Sequence, residues 1–233
     1  MTKKILCSIA AVAFAASVSA QARVGIKGGF NLSNISNAND GTSDNANMLP
    51  SWNAGVIADF PLSPILSLQP GVFYSTKGSK IERGNSSDVD YLKTTTNPSY
   101  IEIPVNFVGK IPLGADGSNK FFAGVGPYAA FGVAGKNKYT FSSGATKVTG
   151  ESNIKWDDDT PFNTGDPNQG YDKYKRFDWG GNLMAGFEFG NVQVAAQYGL
   201  GFAKIVSGED DGRNDKSKNR VLSFSVAYLF GGK

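Results

Sequence analysis

A run of aspartates is the densest group of chemically capable side chains in this 233-residue chain. Carboxylate oxygens are the ligands that hard cations such as Ca²⁺ prefer, so the run is a candidate cation site. Its members are Asp157, Asp158, Asp159 and Asp166. Pro161 and Phe162 interrupt the spacing of an EF-hand, and no glutamate closes the loop. A solvated loop is therefore the favoured interpretation, and neither a metal nor a cofactor is expected.

Catalytic residue types are scarce in the rest of the chain. It contains no histidine, and its one cysteine is Cys7. Hydrolysis by a Ser-His-Asp triad and most zinc sites are therefore excluded. Aspartate pairs could still act as acid and base, but the sequence as a whole predicts no catalytic activity.

The first twenty residues are typical of a secretory signal peptide. Lys3 and Lys4 precede an apolar stretch over residues 5–18, and small residues at 18–20 form a cleavage site. The predicted mature chain, residues 21–233, begins at Gln21 and lacks a thiol. Removing the two lysines leaves 21 basic against 20 acidic residues, from 23 and 20. Such a balance argues against a nucleic-acid partner.

The stretch from Phe177 to Ile205 has apolar residues at alternate positions and a single break at Gly190-Asn191. Side chains of a strand alternate between two faces, so the pattern predicts a hairpin with one apolar and one polar or small face. Each half is longer than the usual soluble strand and matches the ~9–11 residues of a tilted membrane strand.

The same alternation recurs to give eight predicted strands. Their connections alternate between short links and long polar ones. The short links are 61–65, 111–119 and 190–191; the long ones are 36–50, 81–99, 136–176 and 206–219. This layout predicts an all-β fold, an eight-stranded antiparallel up-and-down transmembrane β-barrel with short periplasmic turns and long extracellular loops. A soluble barrel of the lipocalin type is the alternative. Bulges are expected at the strand prolines Pro70, Pro104 and Pro127.

Aromatic residues on the outward parity fall into two groups once strand direction is assigned. The outer girdle is Trp52, Tyr74, Phe131, Trp179 and Phe202. The periplasmic girdle is Phe60, Phe107, Phe121, Phe189, Tyr228 and Phe230. Two aromatic belts at the membrane interfaces are typical of transmembrane barrels.

Polar residues on the inward parity predict a polar lumen. They are Lys27, Asp59, Gln69, Lys77, Glu102, Asn106 and Glu188. Buried charges persist when they are paired, so we expect one ion pair low in the barrel between Lys27 and Asp59, with Glu188 nearby. A second pair, Lys77 with Glu102, is expected near the outer rim. Packing of these groups into a plug is favoured over a gated conduction path, because eight strands enclose little more than side chains.

Four segments resemble the PorT-like outer-membrane β-barrel family. Its members are small barrels of the porin-family type from Gram-negative bacteria of the Bacteroidota type. The four segments are VGIKGGFNLSNI, YIEIPVNF, FFAGVGPYAAFG and VAAQYGLGFAKI. The resemblance implies a small barrel in the outer membrane, inserted by the barrel-assembly machinery, and a founding member takes part in protein secretion. Barrels of this kind often end on an aromatic residue, whereas here Phe230 is followed by Gly231-Gly232-Lys233.

Three functions remain open. The first is a monomeric anchor in outer-membrane lipid, whose loop 136–176 contacts an extracellular partner through its rings. Those rings are Tyr139, Phe141, Trp156, Phe162, Tyr171 and Tyr174. The second is a small pore or carrier for an apolar molecule that uses the inward Phe73, Phe122, Tyr128 and Met184. The third, by the resemblance, is a component of a secretion machinery.

Overall fold

The fold is described from a computed structural model, which covers residues 22–36, 48–84, 90–114, 117–144, 146–158, 173–207 and 217–231. The described residues form twelve strands. They are β1 Arg23–Ile35, β2 Leu49–Ser63, β3 Leu66–Thr76, β4 Ser79–Arg83, β5 Asp90–Leu113, β6 Asn119–Ser143, β7 Thr146–Asn153, β8 Lys155–Trp156, β9 Lys173–Tyr174, β10 Phe177–Phe189, β11 Val192–Gly201 and β12 Asn219–Phe230. Among these residues, no helix is long and apolar enough to cross a membrane.

Eight of the strands close into a ring. The order is β5-β3-β2-β1-β12-β11-β10-β6, and the ring closes where β6 pairs with β5. Every neighbour in the ring is antiparallel. The first strand joins the last, with Val24 opposite Phe230. The predicted eight-stranded up-and-down barrel is confirmed, and closure leaves the ring without an unpaired edge.

The two faces of the barrel wall have opposite character. On β10, Leu183 is 62% exposed, whereas its neighbour Asn182, which points to the other face, is 2% exposed. Gly181 shares the face of Leu183 and is half-buried. Trp179 and Phe187 share the outer face with Leu183 and are also exposed. Large apolar side chains therefore cover the outside, and polar ones point inward, which is the arrangement that a lipid environment favours.

Two strands are much longer than predicted. β5 has 24 residues and β6 has 25. Their outer halves pair with β4 and β7 to form a four-stranded antiparallel sheet, β4-β5-β6-β7, that extends the barrel wall. Segments 81–99 and 136–176 are therefore not simple loops. Sequence reasoning missed this sheet because β4, β7 and residues 90–99 of β5 each contain a single aliphatic residue, which is too few to show an alternation.

The bulges lie at other places than predicted. The register shifts between Pro61 and Ser63, and again between Ser99 and Tyr100. The pairing of β3 with β5 keeps one register on both sides of Pro70. The β5–β6 pairing likewise keeps one register on both sides of Pro104, and Pro127 pairs with Gly181 within a continuous ladder. A proline needs no bulge where its position in the ladder does not require an N–H donor.

Candidate functional site: the barrel lumen

The periplasmic end of the lumen is filled by a charged cluster around two buried carboxylates, Asp59 on β2 and Glu188 on β10. The Arg23 guanidinium lies 2.6 Å from Asp59 and 2.9 Å from Glu188. The Lys110 ammonium lies 2.7 Å from Asp59 and 3.2 Å from Glu188. Lys120 approaches Glu188 to 3.6 Å from the rim. Each carboxylate is thus shared between two or more cations, which offsets the cost of burying it.

Two amides complete this cluster. Gln69 donates to the second oxygen of Asp59 at 3.1 Å, and Gln193 donates to Glu188 at 2.7 Å. Gln69 was among the predicted lumen residues, whereas Arg23 and Lys110 were missed. Lys110 shares its parity with Glu102 and Asn106 on β5. Alternation could have found it had the predicted strand that contains those two residues been extended by two residues. Arg23 lies at the very start of β1, where no pattern precedes it.

The predicted pair between Lys27 and Asp59 is wrong. In the register of β1 with β2, Asp59 lies opposite Arg23, and Lys27 lies opposite Gly55. Four strand residues separate the two levels, roughly 13 Å at about 3.3 Å per residue. The Lys27 ammonium instead lies over the ring of Phe73, 5.7 Å from its centroid.

An apolar layer lies inside the barrel next to the charged cluster. On one wall it consists of Val108, Phe122, Met184 and Ala195. On the other wall it consists of Ile57, Phe73, Ala227 and Leu229. Glycines make room for the rings: a Cβ at Gly186 would lie 2.7 Å from Phe122. The rings of Phe73 and Phe122 therefore fill part of the lumen, each packed within the cluster of its own wall.

A second polar cluster lies towards the outer rim. The Lys77 ammonium lies 2.7 Å from Glu102 and 3.2 Å from Asp178. The same Asp178 oxygen accepts hydrogen bonds from Tyr128 at 3.2 Å and from Asn219 at 2.9 Å. Lys77 and Glu102 are the pair expected from the sequence. Asp178 was missed as a cluster member although its parity on β10 points inward with Asn182 and Glu188.

The outer mouth of the lumen is covered by the short strands β8 and β9 and by the chain that follows β11. Trp156 packs edge-on against Tyr100, with ring centroids 5.6 Å apart. Ile154, Tyr174 and Ile205 are buried beside it. Trp156 and Tyr174 therefore belong to a cap on the barrel. The prediction that their rings form part of an exposed contact surface is wrong.

A small cavity remains between the two clusters. Its volume is about 40 Å³, and its lining includes Lys27, Lys77, Glu102, Asn106 and Asn182. One enclosed water needs about 10–15 Å³, so the cavity holds only a few small particles. The lumen is thus closed by the cap, the apolar layer and the charged cluster in turn.

The outer membrane protein beta-barrel domain family matches residues 14–207 of the chain. That match spans most of the barrel whose closure and inside-out faces are described above. The chain belongs to this family. It is therefore an outer-membrane β-barrel protein of Gram-negative type, surrounded by membrane lipid. No relative is found among curated proteins.

Solved structures similar to this outer-membrane barrel include three small barrels. Ail, the attachment invasion locus protein of Yersinia pestis, is 14% identical, with 90% of this chain and 99% of that chain covered and a TM-score of 0.40. Neisserial surface protein A is 12% identical, with 90% and 97% covered and a TM-score of 0.41. OprG of Pseudomonas aeruginosa is 12% identical, with 91% and 95% covered and a TM-score of 0.39.

The aromatic residues of the two predicted girdles lie on the outer surface of this outer-membrane barrel. In the outer group, Trp52 stacks on Tyr74 and Trp179 contacts Phe202, with centroids 5.4 Å and 5.2 Å apart. Phe131 contacts Phe177 at 5.2 Å. In the periplasmic group, Phe107, Phe189, Tyr228 and Phe230 are exposed, and Phe60 and Phe121 are half-buried. Phe121 packs against Phe187, and Tyr228 against Phe230.

Two members of the aspartate run lie within the described residues and two lie outside them. Asp157 lies 3.3 Å from Lys173, and Asp158 accepts a hydrogen bond from the backbone N–H of Arg176 at 2.9 Å. Asp159 and Asp166 lie outside the described residues. In the part of the chain that the structure describes, no group of three or more metal-ligating side chains is found. The two described aspartates thus already have a cation or N–H donor as partner.

Proposed function

We propose that this protein is a non-catalytic membrane anchor that presents the sheet β4-β5-β6-β7 to an extracellular protein. The observation that carries the proposal is an apolar sheet face beyond the outer aromatic group. From Phe131 to Ser143, β6 runs twelve residues further, roughly 40 Å at about 3.3 Å per residue. These twelve residues are additional to the part of β6 that crosses the membrane, for which about 9–11 residues suffice.

The apolar face is built from cross-strand neighbours. Phe141 lies between Leu92 and Val148, and Tyr139 lies opposite Gly150. Ile81, Tyr139, Phe141 and Val148 are each between two-fifths and one-half exposed. The Tyr139 ring packs directly over Gly150, where a Cβ would lie 2.2 Å from the ring. Contiguous exposed apolar side chains on a soluble face mark interaction sites.

The opposite face of the same sheet is polar. Lys80 lies 2.9 Å from Glu82, which also accepts a hydrogen bond from Tyr91 at 2.6 Å. That hydrogen bond holds the pKa of Glu82 below its usual value. Lys136 and Lys138 both pair with Glu151. The charged groups of this face are thus satisfied by ion pairs and water. The other face has the composition of a contact surface.

Site-specific photo-crosslinking on intact cells tests this proposal. A photoreactive amino acid at position 148 lies on the apolar face; at position 149, the next residue of β7, it lies on the polar face with equal access to solvent. We expect a defined adduct from position 148 only, and its loss when Phe141→Ser is added. Adducts of equal yield from both positions, or from neither, would overturn the proposal.

The PorT-like resemblance suggests a secretion component as the more specific role. In that role the partner would belong to a secretion assembly and would co-purify from detergent extracts with the wild-type chain but not with Phe141→Ser. The carrier alternative is not favoured, because a cavity of about 40 Å³ is far smaller than the ~300–1,000 Å³ of ordinary ligand pockets.

Export through a cleaved signal peptide accompanies this function. Residues 1–20 would be removed and the barrel, inserted by the assembly machinery as a monomer, would begin at Gln21. Intact-mass spectrometry of protein purified from outer membranes checks this expectation. Retention of residues 1–20 in the membrane-inserted protein would show that the segment is not a cleaved signal.

A further inference from the structure

The polar face of the sheet β4-β5-β6-β7 is more basic than the chain as a whole. Among the described residues, this face has five lysines and two glutamates, so three positive charges are left over. The predicted mature chain, by contrast, has 21 basic and 20 acidic residues. The lysines are Lys80, Lys93, Lys136, Lys138 and Lys147, and the glutamates are Glu82 and Glu151. A charged face is usually only solvated, so the direction in which this one points decides what it meets.

A bulge in β6 sets the direction of this face. Where β5 pairs with β6, Tyr100 lies opposite Gly132 and Ser99 lies opposite Ala134, so Val133 is an extra residue of β6. One extra residue reverses the alternation of the strand that contains it. Even-numbered residues of β6 therefore point into the barrel before the bulge and away from the barrel axis after it.

Two contacts of the cap show this reversal. The Trp156 ring covers Gly132, where a Cβ would lie 2.2 Å from it, and Ile154 covers Gly135, where a Cβ would lie 2.6 Å from it. Both glycines thus face the cap above the barrel mouth, although one has an even number and the other an odd number. Lys136, the next residue of β6, therefore points away from the axis.

The outward lysines lie above the lipid-facing wall of the barrel. Lys136 and Lys138 follow Phe131 of the outer girdle on β6, roughly 16 and 23 Å further along the strand at about 3.3 Å per residue. At a strand tilt of about 40°, these distances become roughly 13 and 18 Å of height. Girdle aromatics lie at headgroup level, and the headgroup layer of a phospholipid is only about 5–8 Å deep. A lipid that reaches these lysines therefore needs anionic groups on a longer headgroup.

Neutral hydrogen-bonding groups separate the lysines. Asn97 and Asn153 lie opposite Lys136 on its two sides, and Thr95 lies opposite Lys138. The two lysine side chains are 57% and 63% exposed, so a ligand can reach them. Ammonium groups bind phosphate, and amides and hydroxyls bind the hydroxyls of sugars. A chain of phosphorylated sugars presents both kinds of group.

We propose that the outward face of this sheet binds a phosphorylated glycolipid of the outer leaflet. The lysines bind its phosphates, the amides and hydroxyls bind its sugars, and its acyl chains lie against the barrel wall below. The apolar face of the sheet points the other way, towards the space above the barrel mouth. The lipid site is therefore independent of the protein partner proposed for the apolar face.

A lipid titration of the full mature barrel tests the site. The barrel is refolded into a zwitterionic detergent and titrated with purified lipopolysaccharide, with the same lipid after enzymatic dephosphorylation, and with phosphatidylglycerol. Native mass spectrometry measures the bound lipid. We expect the tightest binding for intact lipopolysaccharide, because its phosphates are carried on sugars. Equally tight binding of the dephosphorylated lipid, or of phosphatidylglycerol, would overturn the proposal.

Variants that remove charge locate the site on the sheet. Lys136→Gln combined with Lys138→Gln should weaken the binding of intact lipopolysaccharide about 30-fold, since each lysine near an anionic surface contributes a factor of about five. Lys120→Gln removes a lysine at the periplasmic rim and should bind as the wild type does. Phe141→Ser should also bind as the wild type does, because it changes only the apolar face, and it thereby separates this proposal from that of a protein partner. Undiminished binding in the double variant, or an equal loss in Lys120→Gln, would contradict the lipid site.

Discussion

At the scale of single residues, two lysines of the periplasmic charged cluster differ in burial and therefore in their expected contribution to the free energy of unfolding. Lys110 is buried and bridges Asp59 and Glu188. Lys120 is 31% exposed and approaches Glu188 only to 3.6 Å. Loss of the first leaves two buried carboxylates with one fewer close cation. Loss of the second changes a solvent-exposed contact.

We predict that Lys110→Met lowers the free energy of unfolding by about 3–5 kcal/mol, the usual cost of breaking a buried ion pair. The matched variant Lys120→Met should cost at most about 1 kcal/mol, as exposed pairs do. Urea titration in lipid vesicles measures both. Equal losses in the two variants would show that the buried position of Lys110 contributes nothing special.

At the scale of elements, the barrel wall has a glycine where it contacts the tryptophan of the cap. A Cβ at Gly132 would lie 2.2 Å from the Trp156 ring. We predict that Gly132→Ala displaces Trp156 from the mouth and increases its quenching by acrylamide, measured with Trp52 and Trp179 replaced by Phe. Gly181→Ala is the control, because its added methyl group meets Phe202 at an ordinary 3.5 Å. Unchanged quenching in both variants would contradict the packing described here.

The lipid-facing stripe of β10 supports a second prediction at this scale. Leu183 is 62% exposed on the outer face and lies midway between the two aromatic groups. We predict that Leu183→Arg costs about 2–4 kcal/mol of stability in vesicles, whereas Phe230→Arg near the periplasmic rim costs about 0–1 kcal/mol. A small cost at position 183 would mean that this face is not in contact with hydrocarbon.

At the scale of the whole molecule, three successive layers close the lumen: the cap, the apolar layer and the periplasmic charged cluster. We therefore predict no conductance steps for the wild type in planar bilayers, and none for Trp156→Gly, which opens only the cap. A matched empty-detergent control excludes leaks. Steady conductance from Trp156→Gly would show that the cap alone holds the barrel shut.

Much of this architecture is readable before any coordinates are known. Consecutive strand side chains point to opposite faces, so parity alone separates lipid-facing Leu183 and Phe187 from inward Asn182 and Glu188. Loop lengths then give strand direction, and strand direction places the aromatic residues. The same reasoning did not detect the sheet β4-β5-β6-β7, because β4 and β7 each contain a single aliphatic residue, and alternation along one strand needs several to be visible.

The amino-acid sequence by itself determined which side chains face lipid and which face the barrel axis, because that choice depends only on alternation along each strand. Tertiary structure decided which inward charges meet. Arg23 reaches Glu188, 165 residues away, and Lys77 reaches Asp178, 101 residues away. Such pairs depend on register and on closure of the ring, so a one-step change in either would give every lumen charge a different partner.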